Sequence, residues 1–69
     1  MKIREFLEII KAQGFTEKRQ RGSHHTYEGF VNGGRHVVTV DYSQLGEDIM
    51  PRNLQSMIRQ SGLPKKMFR

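Results

Sequence analysis

The sequence predicts a single α+β domain of order α-β-β-β-α, with two amphipathic helices on one face of a three-stranded antiparallel sheet. Three observations predict it. Apolar residues recur at helical spacing near both ends of the chain. The middle is β-branched and aromatic, with an Asn-Gly-Gly turn signal inside it. The chain has 69 residues, room for one core and not two.

Ile3, Phe6, Leu7 and Ile10 fall at i, i+3, i+4 and i+7, on one face of a helix from about residue 2 to 13. Ile9 lies beside that stripe and widens it. Gly14 supplies the left-handed position that commonly ends a helix. Residues 15–20 mix polar and apolar side chains and read as a short strand. Residues 24–31 read as a second strand, and 36–42, with Val37, Val38 and Val40, as the clearest one. Asn32-Gly33-Gly34 folds these two into a hairpin. Residues 43–50 read as a polar loop. Pro51 suits the first turn of a second helix, Asn53 can cap it, and Leu54, Met57 and Ile58 carry its apolar spacing. Gly62 and Pro64 end it. The expected core is therefore about 1–63, followed by a basic tail at 64–69. Met67 and Phe68 in that tail can either dock on the domain or meet a partner.

Each amphipathic helix needs an apolar surface, and an antiparallel sheet has one face to offer. Both helices should share that face and leave the other wet. This is the layout of a double-stranded-RNA-binding domain, although a fold does not by itself assign a function.

Composition narrows the chemistry. There is no cysteine, which excludes disulfides, zinc–thiolate sites and thiol nucleophiles. No apolar run approaches the ~20 residues that span a bilayer, and Met1-Lys2-Ile3-Arg4-Glu5 lacks the apolar stretch of a signal peptide. A cytoplasmic protein without membrane contact is expected. Lys and Arg number 12 against 7 Asp and Glu, a net charge of +5. The bases cluster at Lys18, Arg19 and Arg21 and at Lys65, Lys66 and Arg69, whereas Asp41, Glu47 and Asp48 share a stretch without a base. Such segregation suits a polyanionic partner as well as it suits mere solubility.

The run Lys18-Arg19-Gln20-Arg21-Gly22-Ser23-His24-His25 gathers the unusual residues. Gly22 frees the backbone for a tight connection, with Ser23 beside it. His24 and His25, adjacent on a strand, point to opposite faces and cannot share one ligand. A single working imidazole is therefore expected, and no metal or other cofactor. One imidazole suffices to start RNA cleavage, because RNA carries its own nucleophile in the 2′-OH. A base that takes that proton lets the oxygen attack the adjacent phosphate, and an imidazole's ordinary pKa of about 6.5 suits the task. Arg and Lys can hold the phosphate and the charge that builds on it. An exposed loop beside a solvated basic strand fits the same residues. His36 reads as the start of a strand; Tyr27 and Tyr42 have rings that can stack on bases, but tyrosines on strands usually pack.

The Gly14-Phe15 helix exit, the Arg21-Gly22-Ser23-His24-His25 motif and the closing Met57-Ile58-Arg59-Gln60-Ser61-Gly62-Leu63 together resemble the HicA toxins of HicA–HicB toxin–antitoxin pairs. The likeness runs from the first helix through Leu63. It implies the double-stranded-RNA-binding-like fold and a messenger-RNA interferase that cuts RNA and stops growth. It also implies a HicB-like antitoxin that covers the site. By that resemblance His24, the first His after Gly-Ser, is the catalytic residue, and Gly22 and Ser23 are the supporting turn. Lys18, Arg19, Arg21 and His25 are the expected RNA-binding set, with the toxin alone a monomer. Two runs depart from the common pattern: Thr39-Val40-Asp41-Tyr42 stands where many relatives have Val-Pro-x-His, and Pro51-Arg52-Asn53-Leu54 where many have Pro-Gly-Thr-Leu. The same fold and charge also fit a non-catalytic double-stranded-RNA-binding module, and less well a pure protein-interaction domain.

Overall fold

The computed structural model describes all 69 residues. Helix α1 spans Ile3–Ala12, strands β1, β2 and β3 span Thr16–Arg21, His24–Val31 and Gly34–Asp41, and helix α2 spans Pro51–Ser61. A 3-10 turn, Lys65–Phe68, follows. The strands form one antiparallel sheet in the order β1-β2-β3. The α-β-β-β-α order expected from the sequence is the order found.

Register sorts the strand residues onto two faces. His25 pairs with Val40, Tyr27 with Val38 and Gly29 with His36. His25, Tyr27, Val38 and Val40 are buried and face the helices. Their core partners are Ile3, Phe6, Leu7 and Ile10 of α1 and Met57 and Ile58 of α2, residues picked out by helical spacing; Leu54, the other residue of the α2 stripe, is only partly buried against them. Phe15, just before β1, lies over Gly29 so closely that a Cβ there would sit 2.5 Å from the ring. The helix-free face carries His24, Thr26, Glu28 and Phe30 of β2, paired with Asp41, Thr39, Val37 and Arg35 of β3.

Strand β1 does not alternate evenly. Glu17 pairs with Tyr27 while Arg19 pairs with Thr26, so Lys18 is an extra residue, a β-bulge. Strict alternation would put Glu17, Arg19 and Arg21 on one face. The bulge turns Glu17 toward the helices and leaves Arg19 and Arg21 on the helix-free face with His24.

Two connections differ from the sequence reading. The 43–50 segment is not simply a polar loop. Its Leu45 and Glu47 carbonyls accept the Arg4 and Ile3 N–H groups, each at 2.9 Å, so it satisfies the orphan donors of α1. Ile49 is buried in the core, and its N–H donates to the Met1 carbonyl at 2.9 Å. Asn53 does not cap α2: Met50 holds the cap position, Pro51 opens the helix, and Asn53 lies in the first turn with its side chain on a cleft described below. The core also reaches beyond residue 63. Phe68 is buried and stacks on Phe6, ring centroids 5.1 Å apart, and Met67 packs beside it. Of the two fates open to the tail, docking is the one found.

Candidate nucleic-acid interface and its imidazole

β1 and β2 are joined by two residues, Gly22 and Ser23, and of these only Gly22 has positive φ, +57°. That is the pattern of a type II′ hairpin turn, whose first central position favours glycine. Nothing lies within 4 Å of where a Cβ on Gly22 would be, so backbone conformation and not space is what calls for glycine there. The Ser23 carbonyl accepts the Tyr42 N–H at 2.9 Å, which ties the turn to the chain leaving β3.

His24 follows at the start of β2. Register places it in one row with Arg21 of β1 and Asp41 of β3. The three are exposed on the helix-free face. His25 and His36 each donate a hydrogen bond through Nδ1, to Glu17 Oε2 at 3.3 Å and to the Gln60 carbonyl at 3.2 Å, whereas His24 engages no protein partner. Its imidazole is free to meet a ligand.

His25 faces the other way. The sequence groups it with the RNA-contacting residues, but the residue is only 7% exposed and its ring stacks on Tyr42 with centroids 3.9 Å apart. The period-2 alternation that sends His24 outward sends His25 inward. The Glu17 carboxylate accepts from both His25 Nδ1 and the Tyr27 hydroxyl, each at 3.3 Å. Tyr42 completes the chain by donating to the Tyr27 oxygen at 3.1 Å. This network sits directly beneath the His24 turn, and every buried side-chain polar atom in the protein has a partner. Both tyrosines pack, as the sequence suggested.

Burial first, then the Tyr42 hydroxyl and the Glu17 charge, push the Tyr27 phenol well above its ordinary value. A raised phenol pKa stabilises the fold fully below about pH 10, the unfolded value, and that contribution is lost as pH rises above it. Alkaline unfolding should therefore carry a Tyr27 component. The part of the 295 nm absorbance rise that disappears in Tyr27→Phe should coincide with loss of far-UV ellipticity. A Tyr27 phenol that ionised near pH 10 with the fold intact would contradict the network.

The cationic residues divide. Lys18 lies 3.9 Å from Glu28, which also holds Arg35. Arg19 and Arg21 take part in none of the protein's ion pairs. They are the free cations of the face. Lys65 and Lys66 belong to the 3-10 turn packed against both helices, so they do not extend this set.

On the other side of His24 lies a cleft of about 400 Å³ between β3 and α2, lined among others by Thr39, Asp41, Asn53 and Ser56. It exists because α2 runs along the free edge of β3, where Gln60 Oε1 accepts the edge Thr39 N–H at 3.2 Å. Nothing in the local sequence places Asp41 and Asn53 beside His24. Only the pairing of β3 with β2 and the path of α2 bring them beside His24. Metal-type donors do not gather in groups of three or more anywhere in the chain, and no helix is long and apolar enough to cross a membrane.

Fold and site together define a small α-β-β-β-α domain with an open strand face, on which one unpartnered imidazole stands beside free guanidinium groups. A sequence profile of the HicA toxin of bacterial toxin–antitoxin systems matches residues 3–63, all but the two ends of the chain. The chain belongs to the HicA toxin family. No curated protein and no solved structure matches it.

Proposed function

We propose that this HicA-family toxin is a metal-independent endoribonuclease, a messenger-RNA interferase, in which His24 moves the proton and a HicB-like antitoxin covers the face that carries it. The observation that carries the reading is the free, exposed His24 imidazole in a row with Arg21 on a sheet face that no helix covers.

The chemistry needs no group the chain lacks. A ribose 2′-OH gives its proton to the imidazole and its oxygen bonds to the adjacent phosphorus. The bond from phosphorus to the 5′-oxygen of the next nucleotide then breaks, and that oxygen takes up a proton. The products are a 2′,3′-cyclic phosphate and a free 5′-OH. Arg19 and Arg21, with Lys18 at the margin, hold the phosphate and offset the charge that grows on it. Gly22 and Ser23 fix the turn from which His24 projects. His25 supports that turn from the core side and is not an RNA contact in this proposal.

Purified protein with end-labelled RNA in EDTA tests the reading. Cleavage products are expected, and RNA bound but left intact would favour the non-catalytic binding module. Phosphate contacts release counterions, about 0.7 in the log–log salt slope for each contact to a single strand. Arg19→Ala and Arg21→Ala should each flatten the salt dependence of RNA binding by about that amount, whatever the RNA sequence. An unchanged slope in both variants would remove these arginines from the interface.

A further inference from the structure

We infer that the cleft beside His24 is a nucleobase subsite that selects guanine, with Asp41 and Asn53 reading the base edge. The inference takes RNA as the ligand, as proposed above, and adds which base the site prefers.

Charge gives the direction. The free cations of the helix-free face, Arg19 and Arg21, lie on β1, on one side of His24, and the unpaired carboxylate of Asp41 lines the cleft on the other side. A phosphate is drawn to the first side and repelled from the second. A nucleotide spanning His24 therefore lays its phosphate toward β1 and its base toward the cleft. The volume, about 400 Å³, falls in the range of small-molecule clefts. Ile49 and Met57 supply apolar and thioether surface for the face of a ring.

The polar groups that remain free decide which base fits. Gln60 is fully engaged, accepting from Thr39 N–H and donating to Ser56 Oγ at 3.2 Å. Asp48 is held by Lys2 at 3.1 Å. Asp41 and Asn53 have no side-chain partner among the protein's hydrogen bonds and ion pairs, and both are exposed to the cleft. They offer two carboxylate acceptors and a carboxamide with a donor to spare. Guanine alone carries two adjacent donors, N1–H and N2–H₂, on its Watson–Crick edge, next to the O6 acceptor. The carboxylate takes the two donors in parallel and the carboxamide donates to O6. Adenine, cytosine and uracil each set a lone pair against one of the carboxylate oxygens.

The test measures binding separately from cutting. Fluorescence anisotropy would compare 2′-O-methyl oligouridylates carrying one central guanosine, inosine or adenosine. Capping the 2′-oxygens removes the nucleophile, and inosine lacks only the N2 amino group. The guanosine oligonucleotide should bind about tenfold more tightly than the other two, and Asp41→Asn should bring the three within twofold. Equal binding of all three to the wild-type protein would overturn the subsite, as would a guanosine preference that survives Asp41→Asn. A chain that prefers guanosine but leaves ordinary RNA uncut keeps the subsite and loses the nuclease reading. One that cuts RNA without the preference does the reverse. A basic peptide that binds through Asp41, with no base dependence in the oligonucleotides, would give the cleft to a protein partner and overturn the proposal.

Discussion

His24→Ala is expected to lower RNA cleavage by at least about 100-fold, the lower range for loss of a general acid–base group, and to relieve growth arrest on expression. The fold should not notice. His24 is exposed and holds no partner, and surface changes of that kind shift stability by about 0.5 kcal/mol or less. Binding should also survive, since Arg19 and Arg21 are untouched. Assays of cleavage, thermal melting and RNA affinity on one preparation would separate these effects. Cleavage within tenfold of wild type, in a protein that melts normally, would take the proton transfer away from His24.

Phe68→Ala is expected to remove about 3 kcal/mol of folding stability. Its ring is 6% exposed and stacked on Phe6, and truncating a buried phenylalanine costs about 3–5 kcal/mol. A core this small supplies about 3–5 kcal/mol in all. The substitution should therefore leave a substantial unfolded fraction at ambient temperature, even though residue 68 lies outside the 3–63 match to the family. Urea unfolding checks it. A loss under about 0.5 kcal/mol would mean that the tail adds nothing by docking.

Much of this architecture is legible in the residues because it rests on periodicity. Ile3, Phe6, Leu7 and Ile10 announce α1, and the alternation of Val38 and Val40 with Thr39 and Asp41 announces β3. The turn at Asn32-Gly33 is equally plain: both residues have positive φ, +52° and +81°, as a type I′ hairpin demands. What stays hidden depends on pairing between distant segments. The bulge at Lys18 leaves no compositional mark, yet it decides that Glu17 turns inward and Arg19 outward. The alternation rule separates His24 from His25 but does not say which faces the core. That follows from Val40 opposite His25 and Asp41 opposite His24. Asp41 and Asn53 lie 12 positions apart in the chain and line one cleft only because α2 follows the β3 edge. The tail did carry a signal, an apolar Met67-Phe68 pair among bases, but its docking site on Phe6 is a property of the folded chain.

In the cleavage proposed here a ribose hydroxyl, deprotonated at His24, displaces its own neighbour from phosphorus. The chemical nature of the new ends tests this most directly. After purified protein has cut an unlabelled RNA in EDTA, polynucleotide kinase and labelled ATP should label the downstream fragments without prior phosphatase treatment, because those fragments begin with a free 5′-OH. Fragments that accept label only after phosphatase would carry a 5′-phosphate, made by an outside water, and would contradict the mechanism.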